Sequence, residues 1–218
     1  EIIPAIDLRG GRCVRLFQGR YDRETVFGDD PAAIARHWAA QGATRLHVVD
    51  LDGAREGEPR NLEAVAAIAR AVAVPVQLGG GIRSEEAARR ALDLGVARVI
   101  VGTAALDPQA IGRLVACLGD RLETSEILAT DLARAVAGLG VRCLVFTDIA
   151  RDGTLEGPNV AALREMVESV EAAVIASGGI STVEQVRAVR EAGAAGAIIG
   201  TALYAGRLSL KEAMEGAC

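Results

Sequence analysis

Three observations place the chain in the α/β class with a parallel sheet. Half of its 218 residues are apolar while only 3% are aromatic and 25 are glycine, so the core has to be built from Ala, Val, Ile and Leu, the composition of buried parallel strands. Short β-branched runs alternate with Ala-rich stretches of helical period from end to end, the order that builds a parallel sheet, closed or doubly wound. An internal repeat then divides the chain: at a constant offset of 98, Gly79 to Leu106 aligns with Ser177 to Tyr204 over 28 positions, 11 of them identical, and Asp50 aligns with Asp148. Together these predict a (β/α)8 TIM barrel with a two-fold half-barrel repeat, four βα units in each half.

Strands are expected at Ile2 to Asp7, Arg45 to Asp50, Val74 to Leu78, Arg98 to Val101, Arg142 to Thr147, Ala172 to Ala176 and Ala197 to Ile199. Apolar residues at three- and four-residue spacing predict helices near Pro31 to Gln41, Leu62 to Ala71, Ser84 to Leu94, Pro108 to Leu118, Ser125 to Leu139, Val160 to Glu168, Thr182 to Ala192 and Leu208 to Gly216. Two of these carry a start signal, Asp30 before Pro31 and Asp107 before Pro108, an N-cap followed by proline at the first helical position.

Eight helices stand against seven strands, and the gap falls between Leu122 and Glu123, where Gly119, Asp120 and Arg121 lead from one helical stretch towards another with no apolar β run. The offset of the repeat is also lost there. The fifth strand and its loop are therefore expected to be absent, about 20–25 residues, which would restore a length near the roughly 250 usual for this barrel. A missing segment is preferred to a true deletion, and a start at Glu1 fits a sequence that is not complete. Residues 1–218 are read as one barrel domain, with half-barrels at approximately 1–122 and 123–218.

Composition excludes several classes. No apolar run reaches the roughly 18 residues that span a bilayer, and the first 20 residues lack a signal-peptide pattern, so a soluble, cytoplasmic chain without a membrane partner is expected. Cys13, Cys117, Cys143 and Cys218 are scattered without CxxC spacing, which argues for reduced packing residues over a disulfide framework or zinc site. A net charge of −5 with dispersed arginines offers no field for nucleic acid. An anionic ligand must be held by local geometry.

Two Gly-rich turns supply that geometry: Leu78-Gly79-Gly80-Gly81-Ile82-Arg83-Ser84 and Ala176-Ser177-Gly178-Gly179-Ile180-Ser181. Each joins a buried strand to a helix, where glycine lets backbone N–H groups turn towards an oxyanion. The next strands end in Val101-Gly102-Thr103 and Ile199-Gly200-Thr201, whose amides and hydroxyls complete each cradle. The candidate phosphate residues are thus Gly80, Gly81, Arg83, Gly102 and Thr103 on one side, and Gly178, Gly179, Gly200 and Thr201 on the other. Tight βα loops alone would explain one such turn; two symmetry-related copies at one barrel mouth imply a small ligand with a phosphate at each end.

Proton transfer requires groups at strand ends on the same face. Asp7, Asp50 and Asp148 follow apolar strands, and Asp152 lies in the adjoining Arg151-Asp152-Gly153-Thr154 loop. Two carboxylates can divide base and acid work when their environments separate their pKa values. Capping or loop ordering is the competing role, and the favoured one for Asp50 and Asp148. Thr147 can orient a neighbouring carboxylate by hydrogen bonding. His37 is read as a structural or surface residue. His47 shares a strand face with Val49, and core packing is preferred for it over ligand contact. There is no Ser-His-Asp order, metal-ligand cluster or Walker loop.

At this point the residues resemble a known family. Ile2-Ile3-Pro4-Ala5-Ile6-Asp7-Leu8, Val14-Arg15-Leu16-Phe17-Gln18-Gly19, His47-Val48-Val49-Asp50-Leu51-Asp52-Gly53-Ala54, Gly79-Gly80-Gly81-Ile82-Arg83 and Thr147-Asp148-Ile149-Ala150-Arg151-Asp152-Gly153-Thr154-Leu155 together are similar to the phosphoribosylformimino-5-aminoimidazole carboxamide ribotide (ProFAR) isomerases of histidine biosynthesis. The resemblance covers the chain except the break at Leu122. It implies an Amadori rearrangement of a bisphosphate with no metal or organic cofactor, in which an acid protonates the ribose ring oxygen, the ring opens to a protonated Schiff base, and a base removes the C2 proton.

By resemblance Asp7 is the base and Asp152 the best acid present; the family also has an aspartate at the end of its fifth strand. The related cyclase subunit of imidazole glycerol phosphate synthase shares the repeat but typically carries Val-Val-Lys-Gly where this chain reads Val14-Arg15-Leu16-Phe17-Gln18-Gly19. The pattern is also compatible with a bifunctional isomerase that acts on phosphoribosylanthranilate as well, and with a non-catalytic phosphate-binding barrel scaffold. The chain is expected to act as a monomer.

Overall fold

A computed structural model describes residues 1–125 and 130–218. In chain order the strands are β1 (Ile2–Arg9), β2 (Arg12–Phe17), β3 (Arg20–Gly28), β4 (Leu46–Asp50), β5 (Val76–Gly79), β6 (Arg98–Val101), β7 (Leu122–Ser125), β8 (Cys143–Thr147), β9 (Ala173–Ser177) and β10 (Gly196–Ile199). The helices are α1 (Pro31–Ala40), α2 (Leu51–Glu56), α3 (Leu62–Ala71), α4 (Glu85–Asp93), α5 (Pro108–Leu118), α6 (Thr130–Gly138), α7 (Val160–Ser169), α8 (Val183–Glu191), α9 (Thr201–Tyr204) and α10 (Leu210–Gly216), with a 3-10 turn at Thr103–Leu106. Strands β1, β4, β5, β6, β7, β8, β9 and β10 follow one another in parallel, and β10 pairs with β1 at Ile3↔Ile198, closing a (β/α)8 barrel.

Strand alternation sorts the residues into two cores. Ile6, Leu46, Val48, Leu78, Val99 and Leu144 point outward to meet Ile68, Leu114 and Leu163 from the helices. Ile3, Ala5, Ile100, Val145, Ile175 and Ile198 point inward and fill the barrel. Each large aliphatic side chain so buried contributes about 1.5–3 kcal/mol. Asp30 and Asp107 cap α1 and α5 by accepting from Ala33 N and Gln109 N, as the Asp-Pro pairs predict.

The expected absence of a fifth strand is corrected by β7, which pairs with β6 at Ile100↔Glu123 and with β8 at Thr124↔Leu144. Its four residues hold no apolar run because Leu122 is the only aliphatic one, with buried Thr124 sharing its helix-facing side. Glu123 is buried, its Oε1 paired with Arg45 and Arg98, and an inward charged residue of this kind leaves no hydrophobic signature. Ser125, the expected first residue of the next helix, instead closes β7; that helix is described from Thr130, and the expected positions 126–129 lie outside the described residues.

The other departure is the β2–β3 hairpin, which extends β1 antiparallel at Asp7↔Val14 and sits over the C-terminal end of the barrel. Two-residue turns make it: Gly10-Gly11 (φ 54 and 77) and Gln18-Gly19 (φ 52 and 67), the double positive φ of turns whose twist matches paired strands. The repeat seen in the sequence holds in space. Gly80 and Gly178 have φ 97 and 99, and Gly81 and Gly179 both have φ 77. The pairs α4/α8 and β6/β10 keep the offset of 98 at both ends.

Candidate active site

The parallel strands all end at the face covered by the hairpin, so their terminal residues converge there. Asp7, near the end of β1, is buried and paired with the Arg15 guanidinium of β2 (Nη1 to Oδ2, 2.9 Å). The other end of the same guanidinium lies 3.8 Å from Asp152 Oδ1 in the β8–α7 loop. The two carboxylates chosen from the sequence are therefore brought together, bridged by one buried cation. Burial pushes the Asp7 carboxyl up to about 6, Arg15 opposes that rise, and Asp152 adds to it. A carboxylate tuned towards neutrality in this way is ionised at pH 7 yet basic enough to take a proton.

Gln18 ties the hairpin tip to the Asp152 loop, its N–H donating to Asp152 O (3.0 Å) and its Nε2 to Ala150 O (2.7 Å). Gly153 makes this approach possible, because a Cβ there would lie 2.9 Å from Leu16 O. Thr147 lines the mouth at the end of β8, beside Ser177 of β9. Among the described residues its hydroxyl bonds neither Asp7 nor Asp152, so the expected orienting contact is not formed.

The mouth encloses a cavity of about 400 Å³, reached by Asp7, Arg15, His47, Thr147 and Asp152. One cradle opens into it through Gly80, Gly81, Arg83 and Thr103. A Cβ on Gly80 would collide with Asp50 O, and one on Gly81 would meet Glu58 C at 2.5 Å. Gly102 precedes the 3-10 turn that begins at Thr103, and Arg83 is exposed, its Nη2 donating to Ala54 O (3.3 Å). The second cradle is a small adjoining pocket formed by Gly178, Gly179, Gly200 and Thr201, with Arg15 and Asp152 in its wall. A Cβ on Gly178 would lie 2.6 Å from Asp148 O, the counterpart of the Gly80 contact. The Thr201 hydroxyl is buried there without a partner among the described residues.

Arg15 is the residue that sequence reasoning missed. Its guanidinium rests on the backbone of Gly200, where a Cβ would overlap Nη2, so one cation faces Asp7, Asp152 and the second cradle. The Gly-Gly and Gln-Gly pairs flanking Arg12–Phe17 were the available signal. His47 also departs from its expected packing role: its face points into the barrel and lines the mouth. Burial, reinforced by Arg15, pushes its ring down to about 3, so it is neutral. Asp50 is a loop anchor, accepting from Gly53 N, Arg60 N, Asn61 N and Asn61 Nδ2 at 2.6–2.8 Å. Asp148 lies 3.9 Å from Arg151 Nε. His37 bonds Gln41 on the outer surface of α1.

Among the described residues all four cysteines are free, no group of three or more His, Cys, Asp or Glu side chains is placed to hold a metal ion, and no helix is long and apolar enough to cross a membrane.

Comparison with known proteins follows the same lines. A 1-(5-phosphoribosyl)-5-((5-phosphoribosylamino)methylideneamino)imidazole-4-carboxamide isomerase of Roseiflexus sp. is 53% identical over 232 residues, covering 98% of this chain and 98% of the relative. Proteins of the same name from Chloroflexus aggregans (51% over 232 residues, 98% and 96%) and Gloeothece citriformis (48% over 236 residues, 99% and 92%) are similar. These alignments are longer than the chain's 218 residues, so the relatives carry residues with no counterpart here. A family model described as histidine biosynthesis protein matches residues 1–209. With that match and relatives about half identical over nearly their whole length, the chain belongs to the histidine biosynthesis protein family.

Proposed function

We propose that the chain is an intramolecular oxidoreductase of histidine biosynthesis, converting the bisphosphate ProFAR to its ribulosyl form by an Amadori aldose–ketose isomerisation. The observation that carries this reading is the placement of a carboxylate–arginine–carboxylate array, buried Asp7 and Arg15 with half-buried Asp152, between two glycine cradles related by the internal repeat. A ligand with a phosphate at each end, held at Gly80, Gly81, Arg83, Gly102 and Thr103 and at Gly178, Gly179, Gly200 and Thr201, has its sugar carbons over Asp7. Positioning of this kind turns a bimolecular proton transfer into a local one.

Asp152 gives a proton to the ribose ring oxygen as the C1–O bond breaks, and the amine lone pair forms the C1=N bond of a protonated Schiff base. Asp7 then takes the C2 proton, the C2–H electron pair forms C1=C2, and the C1=N pair moves onto the nitrogen and neutralises it. Return of the Asp7 proton to C1, with the C2 hydroxyl proton passing to the Asp152 carboxylate as that carbon becomes a carbonyl, leaves C1 reduced, C2 oxidised and both carboxyls restored, with no net electron transfer. The acid falls to Asp152 because β7 reads Leu122-Glu123-Thr124-Ser125 and Glu123 faces Arg45 and Arg98 away from the mouth. Thr147, lining the mouth, is read as a substrate contact.

Residues 1–218 are taken as one barrel domain whose halves, approximately 1–122 and 123–218, meet at the start of β7, and as a cytoplasmic monomer with both cradles in one mouth. A non-catalytic scaffold would call for an open barrel, whereas β7 is paired on both edges. The Roseiflexus, Chloroflexus and Gloeothece relatives are named isomerases, which does not favour the cyclase or bifunctional readings. Incubation of the purified chain with ProFAR, followed by chromatography, should yield the ribulosyl isomer; recovery of unchanged substrate at micromolar enzyme would overturn the reading. Elution as a dimer in light scattering would overturn the monomer.

A further inference from the structure

Below the mouth, the barrel interior of the first half holds a chain of polar side chains that the proton transfers do not use. Arg45 Nη1 donates to Gln77 Oε1 (3.1 Å), and Gln77 Nε2 lies 3.0 Å from His47 Nδ1. Gln77 and His47 are both buried, and Arg45 is itself held by Glu1 and Glu123 at the barrel floor. Arginine has donors only, so the Gln77 oxygen must face it and the Gln77 amide N–H must face His47. An N–H aimed at Nδ1 requires Nδ1 to be the acceptor. The ring proton is then on Nε2, which has no hydrogen-bond partner among the described residues, on a side chain that lines the mouth cavity.

The internal repeat shows that the fold does not require this arrangement. At the offset of 98, Arg45, His47 and Gln77 correspond to Cys143, Val145 and Ile175, of which Val145 and Ile175 are inward-facing members of the apolar barrel core. The same barrel positions pack without polar groups in the second half. Placing three in the first half incurs a desolvation cost that the hydrogen bonds along the chain partly offset.

We propose that Gln77, anchored by Arg45, is a positioning residue that locks neutral His47 as its Nε2–H tautomer, so that the ring presents one N–H donor to a substrate oxygen lying between the two phosphates. The role as a donor to substrate rests on the isomerase reading; the tautomer does not. Neutrality has the same origin as the geometry, since the ring is buried and the cation bearing on it is Arg15.

The chain has two histidines, and exposed His37 serves as an internal reference, so long-range ¹H–¹⁵N correlation spectra of the labelled protein read the tautomer directly. In the wild type, His47 should show an unprotonated Nδ1 and a protonated Nε2, unchanged from about pH 5.5 to 8. Gln77→Glu places an acceptor-only carboxylate against Nδ1 and should move the proton onto it. Gln77→Met, which keeps the volume, should leave a mixture of tautomers. Both variants should lower kcat/KM about 10–100-fold, the loss of one hydrogen bond to a polar substrate atom, and His47→Gln, whose amide N–H replaces Nε2–H, should lose less than His47→Ala. An Nδ1–H tautomer or imidazolium in the wild type at pH 7, or spectra unaltered in Gln77→Glu, overturns the proposal. Expected spectra with unchanged kcat/KM in both variants overturn the donor role. A chain inactive on ProFAR with the expected spectra refutes the isomerase reading and leaves the tautomer standing.

Discussion

Replacing Arg15 by Met keeps most of the side chain's volume and removes its charge, so it isolates what the cation does for Asp7. The guanidinium sits 2.9 Å from a buried carboxylate whose pKa is already pushed up to about 6 by desolvation. An arginine at such a distance lowers a carboxylate pKa by about 1–3, and without it Asp7 should titrate at roughly 7–9. At pH 7 the ionised fraction would fall from about nine-tenths to as little as one-tenth or less, roughly a tenfold loss of active base before any loss of substrate contact. The assay is kcat/KM for ProFAR from pH 5 to 9. The wild type should rise through an acid limb near the Asp7 pKa of about 6, and Arg15→Met should shift that limb upward and recover most strongly at high pH. A loss of equal size at every pH, with the limb unmoved, would refute the coupling and leave Arg15 as a binding group only.

Gly200→Ala should resemble Arg15→Met, because its Cβ would overlap Arg15 Nη2 and must displace the guanidinium; the same pH profile checks it. Asp50→Ala should destabilise the fold by about 3 kcal/mol, a fall of roughly 6–12 °C in Tm for a chain of this size, since three backbone amides and the Asn61 amide lose a fully buried acceptor; calorimetry measures it. Stability should depend on pH through two opposed groups. His47 is pushed down from 6.5 to about 3, so its contribution is present above about 6.5 and lost on acidification, whereas Asp7 is pushed up from 3.8 to about 6, so its contribution is lost as pH rises through about 6. Thermal melts of His47→Gln should hold up better than wild type between about pH 6.5 and 4, and the opposite order would contradict the neutral buried ring.

Much of this was legible in the sequence because period and repeat are strong signals. The glycines of Leu78–Arg83 and Ala176–Ser181 stand out by their spacing and their recurrence after 98 residues, and their shared φ values show why no other residue serves there. Asp7 was readable because it follows an uninterrupted apolar strand. Three features left weaker marks. The outer hairpin strand Arg20–Gly28 is mostly exposed and charged, so no apolar alternation announces it, and with it Arg15 lost its place in the site. Four-residue β7 has one outward aliphatic residue and an inward Glu123 whose Oε1 is paired with Arg45, just before β4, and Arg98 of β6, a partnership invisible in one dimension. His47 reads as core because its neighbours are apolar; only barrel closure turns that face towards the mouth.

The chemistry proposed for the mouth depends above all on an ionised Asp7 removing a proton from a substrate held by its two phosphates. Asp7→Asn keeps the shape of the side chain and removes the basic oxygen, so a paired measurement of turnover and substrate binding tests this most directly. The variant should bind ProFAR within a few-fold of wild type by calorimetry while kcat falls about 10²–10⁴-fold, the usual contribution of a well-placed general base. Turnover close to the wild-type rate would contradict the role of Asp7 as the base.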